Sequence, residues 1–176
     1  PSTTLFRSVR GNPGGLLSAA VEVADRFLGN GRIVTTRGRN VRENFDYMAH
    51  RPNTWNVPLA VLIDRDSASA SEIFAGAIAD SNRGVIVGET SYGKGSVQEN
   101  RTLSNGRVSL KMTTARWYVP SGRMIHREPD SERWGVDPSP GGYVLMTNDE
   151  LGAMIDRMRD NRRDDPFSEY DGPMTP

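Results

Sequence analysis

The sequence contains no cysteine, which excludes disulfide scaffolds, thiolate metal sites and cysteine nucleophiles together. Histidine is limited to His50 and His126, so few positions are open to an imidazole base. Lysine is equally scarce: of 22 basic residues only Lys94 and Lys111 are lysines, and all the others are arginines. Neither sign of charge prevails, because 22 acidic residues balance the basic ones, and no basic field exists to attract nucleic acid or an anionic membrane. No apolar run approaches the roughly 20 residues of a membrane-spanning helix, and no signal-peptide core opens the chain. What is present, 176 residues with 36% hydrophobic content, suffices for the core of one ordinary globular domain. Arginine keeps its charge at every accessible pH whereas lysine can be desolvated into a neutral base, so a lysine in so arginine-rich a chain is a candidate for chemistry.

The periodicities describe a mixed α/β chain. Turn formers at Val9-Arg10-Gly11-Asn12-Pro13-Gly14-Gly15 precede Leu16, Leu17, Ala20, Val23, Ala24, Phe27 and Leu28, which repeat at helical spacing. Gly29-Asn30-Gly31 stops that helix, and Ile33-Val34-Thr35-Thr36 is a short β-branched strand. Residues 37 to 57 are polar, basic and unpatterned, and are expected to form a long connection. The apolar run from Pro58 to Ile63, ending at Asp64, predicts a strand buried on both faces. A helix with Ile73, Phe74, Ala77 and Ile78 on one face follows and ends near Asp80-Ser81-Asn82; Gly84-Val85-Ile86-Val87-Gly88 is a second buried strand. Strand, helix, strand in that order implies a parallel crossover. The turn Tyr92-Gly93-Lys94-Gly95 leads to alternating strands around Ser96 to Leu103 and Arg107 to Tyr118, joined at Ser104-Asn105-Gly106 as a hairpin. A capping box at Thr147-Asn148-Asp149-Glu150 announces a last helix within 146 to 160, and the charged, proline- and glycine-bearing tail from 161 to 176 is expected to be disordered.

Ser67-Ala68-Ser69-Ala70-Ser71-Glu72 lies where a buried strand hands over to a helix, the place where α/β sheets gather catalytic groups. The same residues have a purely local reading, since Ser69 and Glu72 three positions later form a capping box. A serine nucleophile needs a base, and the two histidines sit in segments with no orienting pattern. Lys94 is the alternative: it follows the very next strand, between Gly93 and Gly95, so it and the serine cluster can meet at one edge of the sheet. A lysine acts as base only where apolar walls, not a carboxylate, favour the neutral amine. No phosphate-loop pattern precedes Gly93-Lys94-Gly95, and Lys111, alternating with Leu110 and Met112, reads as an outward, solvated side chain. The amides of Gly14 or Gly15 and of Ala70 can supply an oxyanion hole. Spacing alone does not choose Ser69 over Ser67 or Ser71.

Four blocks, Arg10 to Leu17, Ser67 to Ile73, Val87 to Gln98 and Thr113 to Arg123, together resemble the carboxy-terminal processing proteases, also called tail-specific proteases. The resemblance implies a ClpP/crotonase-like α/β core with parallel β-α-β crossovers plus a β-hairpin extension. It implies Ser69 as nucleophile, Lys94 as general base, Gln98 as the residue that orients the lysine, a hole of Ala70 with Gly14 or Gly15, and a supporting Asp80. Regular strand would put Gln98 about 13 Å from Lys94, so the glycines must bend the chain between them. No metal or cofactor is implied, and no nucleic acid; the partners are the carboxyl ends of protein or peptide substrates, with a peptide-binding PDZ domain expected upstream. The implied compartment is the bacterial cell envelope, with a plastid lumen as the alternative. On this reading residues 9 to 145 are a truncated peptidase core. Residues 1 to 8 do not look like the strand that should precede Gly14, so they are expected to be atypical or foreign, and the chain alone is expected to be nearly inactive. A silent ligand-binding relative or inert fragment of the same fold is the alternative function.

Overall fold

A computed structural model of the chain describes residues 3–103, 106 and 108–163. Among them are strands β1 (Leu5–Ser8), β2 (Arg32–Gly38), β3 (Phe45–Met48), β4 (Leu59–Ile63), β5 (Val85–Gly88), β6 (Ser96–Thr102) and β7 (Ser109–Tyr118). The helices are α1 (Leu17–Asp25), α2 (Ala70–Asp80) and α3 (Asn148–Arg163). The apolar run at 59–63 is buried almost throughout, as a strand covered on both faces must be. It forms the centre of a parallel sheet of order β1-β4-β5, with Ala60 opposite Val85 and Ile63 opposite Gly88. α2 makes the crossover between β4 and β5, and Ile73, Phe74, Ala77 and Ile78 are all buried, as their spacing predicts. A second, antiparallel sheet of order β3-β2-β7-β6 takes up the expected hairpin. Ile33 and Val34 of β2, Val61 and Ile63 of β4, the α2 residues and Trp117 of β7 belong to one core cluster, so the two sheets share an interior.

Two expectations fail. The N-terminal stretch is not strandless: Leu5–Ser8 pairs in parallel with β4, from Leu5 opposite Leu59 to Ser8 opposite Leu62. Only Leu5 of the four is even half-buried, so the strand is held by backbone pairing at a sheet edge and leaves no apolar signature. The connection at 37–57 is also not structureless, because Val41–Glu43 forms a short 3-10 turn and β3 folds back antiparallel onto β2. Its register slips between Arg32 and Val34, and Phe45 and Met48 remain exposed, which hides the two-residue period of a half-buried strand. Of the hairpin turn, Ser104 and Asn105 lie outside the described residues, as does the tail from 164 onward; residues 161–163, expected in that tail, instead continue α3.

The segment from Leu145 forms a separate unit. Its helix α3 opens on the expected box: Thr147 N–H donates to Glu150 Oε2 at 2.8 Å, and Glu150 N–H returns to Thr147 Oγ1 at 3.3 Å.

Trp117 is 1% exposed and is the largest fully buried side chain of the core. Its replacement by alanine leaves a cavity that the strands around it cannot close. Trp117→Ala is expected to lower the unfolding free energy by about 3–5 kcal/mol, read as a shifted urea midpoint with an unchanged slope.

Candidate active site

The structure separates the three serines that the sequence leaves equivalent. Ser67 is fully buried; its hydroxyl donates to Val9 O at 2.8 Å and accepts from Asp64 N–H at 3.0 Å. Ser71 is buried and donates to Asn12 O at 3.0 Å. Whereas Ser71 borders a different hollow beside Asn12 and Phe74, Ser69 alone of the three lines the cleft that Lys94 also lines. Its backbone stands at φ 56°, ψ −117°, a conformation that favours glycine and costs a side-chain-bearing residue about 1–3 kcal/mol. The capping box foreseen at Ser69 and Glu72 is present, with Ser69 N–H donating to Glu72 Oε2 at 2.8 Å.

Glu72 does much more than cap. Its Oε2 also accepts from Lys94 N–H at 2.9 Å, while Oε1 accepts from Gly93 N–H and from the Ser91 hydroxyl, each at 2.6 Å. One buried carboxylate thereby ties the turn that carries Ser69 to the loop that carries Lys94. Burial pushes the Glu72 carboxyl above its ordinary 4.5, against the pull of hydrogen bonds from Ser91, Gly93, Lys94 and Ser69. The rest of the loop is equally fixed. Ser91 N–H donates to Val136 O, Tyr92 N–H to Ser67 O and Gly95 N–H to His126 Nδ1, so five consecutive amides have acceptors. Trp117 Nε1–H donates to Lys94 O at 3.1 Å. Gly93 has φ +91°, and a Cβ there would lie 2.9 Å from Arg127 Cβ, which explains the glycine beside the lysine.

The Arg10–Gly15 segment is clasped to the serine turn from the other side. Both Asp64 carboxylate oxygens accept from Gly11 N–H, at 3.0 and 2.9 Å, and Ala68 N–H donates to Asn12 O at 3.0 Å. Gly14 has φ +97°, and an added Cβ would fall 2.7 Å from Ala70 N and 2.9 Å from Ser69 Cβ. The Gly14 N–H donates to Asn12 Oδ1 at 2.9 Å, so of the two candidate glycines Gly15 is the one whose amide has no acceptor among the described residues. Ala70, the first residue of α2, likewise has no acceptor for its N–H among the described residues, as befits a helix N-terminus.

Ser69, Ala70, Lys94, Gln98 and Gly15 all line one cleft of about 330 Å³, with apolar walls from Leu16, Leu17, Ile73, Val97 and Trp117. The β6–β7 register shifts beside Gln98, where Thr114 of β7 is the extra residue between the partners of Val97 and Gln98. Asp80 lies elsewhere: at the far end of α2 its Oδ2 accepts from Ser121 N–H at 2.9 Å, so it holds the turn after β7. His126 packs behind the lysine loop, its proton affinity lowered by burial first and by Arg116 next, and exposed His50 faces Met48 O and Asp25. Neither histidine lines the cleft. Lys111, expected to point only into solvent, is exposed but on the cleft's own face, among its lining residues.

An α/β core that presents a serine and a lysine in one cleft has the layout of a serine peptidase. The chain belongs to peptidase family S41, whose model matches residues 9–139. It is 49% identical over 119 residues to a carboxy-terminal-processing protease of Bartonella bacilliformis, covering 66% of this chain and 27% of that protein. It is 34% identical over 138 residues to the carboxy-terminal processing protease CtpB of Bacillus subtilis, covering 77% and 27%. Among solved structures it is similar to a photosystem II D1 C-terminal processing protease, with TM-score 0.68 and 35% identity over 81% of this chain and 34% of that one. Mature CPAF, at 14% identity and TM-score 0.66, covers 98% of this chain and 45% of its own and shares the fold. The chain thus spans about a quarter to a third of the length of its similar processing proteases.

Two substitutions test the clasps. Gly14→Ala is expected to shift the Asn12–Gly15 arm off the serine turn and to destabilise the fold by about 1–3 kcal/mol through the strained φ alone; thermal unfolding and the backbone amide shifts of Gly15 and Ala70 read both effects. Glu72→Gln sets an amide donor against N–H donors and is expected to destabilise the fold by about 1–3 kcal/mol. Because the Glu72 carboxyl titrates above its unfolded value, the folded state binds the extra proton, and the wild type loses stability as pH rises from about 4.5 through the raised value. The glutamine variant lacks that slope, so urea titrations across this range should show the gap between the two narrowing as pH rises.

Proposed function

We propose that the chain is the catalytic core of a serine endopeptidase that hydrolyses peptide bonds near the carboxyl ends of protein substrates by a Ser/Lys mechanism. The observation that carries this reading is the Ser69 turn: of three neighbouring serines, only the one with the strained backbone opens into the cleft that Lys94 also lines. Lys94 Nζ, as the free amine, takes the proton of Ser69 Oγ while that oxygen attacks the scissile carbonyl carbon. The charge gathered on the carbonyl oxygen is met by the amides of Gly15 and Ala70, which have no competing acceptor among the described residues. The Lys94 ammonium then returns the proton to the departing amine, leaving the acyl group on Ser69 for hydrolysis by water. Gln98 orients the lysine from the edge of β6. Asp80 supports the site only through the turn at Ser121.

The apolar walls at Leu17, Ile73, Val97 and Trp117 fit a hydrophobic side chain next to the cleaved bond. Capture of the substrate's tail falls to a PDZ domain upstream in the whole protein, and its setting is the bacterial cell envelope or a plastid lumen. No helix among the described residues is long and apolar enough to cross a membrane.

Lys94→Arg keeps the charge but removes the proton acceptor. In the whole protein, cleavage of an unstructured peptide with an apolar carboxyl end is expected to fall by about 10²–10⁴-fold in this variant, with circular dichroism unchanged. A serine-reactive phosphonate should label Ser69, as read by mass spectrometry of the digest. Retained turnover in Lys94→Arg, or label on Ser67 or Ser71, contradicts the mechanism.

A further inference from the structure

Lys94 and Lys111 are the chain's only lysines, and both line the cleft. Lys94 is accounted for by the reading above; Lys111 is not. It stands opposite Asn100 in the β6–β7 ladder, so Gln98, Asn100, Lys111 and Thr113 share one face of the hairpin by the two-residue period. The acid nearest in sequence register, Glu99, is on the opposite face, where it pairs with Arg101 at 3.6 Å. No aspartate or glutamate lines the cleft, and Lys111 has no salt-bridge partner among the described residues. Beside Ser69 and Lys94 the cleft thus carries a second cation, with no acid among its described lining residues. Ser96 to Asn100 spans about 13 Å of strand, a length that an extended peptide covers in about four residues.

We propose that Lys111 is a specificity residue that binds a carboxylate of the substrate peptide further along the cleft that holds Ser69. The proposal rests on the reading of the cleft as a peptide site. The carboxylate can come from the peptide's own terminus or from an acidic side chain, and the two sources are separable. An exposed lysine makes the contact modest and salt-sensitive, a matter of preference among peptides and not of the chemical step.

The test is equilibrium binding, measured by fluorescence anisotropy on the whole chain carrying Ser69→Ala so that no peptide is consumed. Three labelled peptides share one apolar sequence: one ends in a free carboxylate, one in a carboxamide, and one in a carboxamide with a single glutamate four residues from the apolar segment. Lys111 is expected to favour at least one acidic peptide over the neutral one by about twofold to fivefold at low salt, with the gap closing at high salt. Whichever acidic peptide shows it identifies the source. Lys111→Gln should remove the preference, Lys111→Arg should keep it, and Lys111→Glu should reverse it toward a peptide with lysine in place of the glutamate. Peptides that bind with no acidic preference, or a preference that survives Lys111→Gln, overturn the role of Lys111 while leaving the peptide cleft standing. Failure of all three peptides to bind overturns the peptide cleft itself, and the proposal with it.

Discussion

Glu72 offers only acceptors to the space between the serine turn and the lysine loop, and that space holds four donors, two directed at each oxygen. Pulling the loops apart would strand those donors in a dry interior at about 1–3 kcal/mol apiece, so the carboxylate holds the two segments at one separation more firmly than a patch of apolar contact would. Apolar contact tolerates sliding; a four-way acceptor does not. Burial raises the carboxyl's proton affinity while the four donors lower it, so the same hydrogen bonds that fix the loops also oppose the cost of burying the group.

The other half of the site obeys the same logic with different atoms. Asp64 at the end of β4 receives the Gly11 amide as well as those of Asp66 and Ser67, and Asn12 takes up Ala68 N–H and the Ser71 hydroxyl on its carbonyl. Segments more than fifty positions apart in the chain are thus joined through main-chain groups. A parallel sheet makes this economical, because β4 and β5 deliver the serine turn and the lysine loop to the same edge, and β1 delivers the glycine arm beside them.

What could be read in advance followed from side-chain pattern. β4 buries an unbroken apolar run and α2 apolar residues at a 3.6-residue period, so their crossover to β5 was legible from the residues; β5, expected to be buried, lies at the sheet edge, where it buries Ile86 and leaves Val85 exposed. β1 and β3 were not, since their side chains face solvent and their existence depends on a neighbour's free backbone groups. In the site, the strand-to-helix position singled out the serine cluster, but choosing Ser69 needed either the family blocks or the burial of Ser67 and Ser71. Glu72 was hidden by its own plausibility: a capping box explains it completely at short range, and only the fold brings residues 91–94 against it. Lys111 was hidden for a related reason. Alternation with Leu110 and Met112 assigns it to the polar face correctly, but not the fact that this face forms the far wall of the cleft.

The backbone of Ser69 links the fold to the history such chains can undergo. At φ 56° the position would relax if it held glycine, so the folded state is least content with the one residue that the proposed chemistry requires. Selection for stability alone would drift this site toward glycine, and only a continuing need for the hydroxyl opposes it. Descendants of this fold that have given up hydrolysis should carry that record as a glycine where Ser69 stands, with the glutamate three residues later retained, because the loops still have to be held.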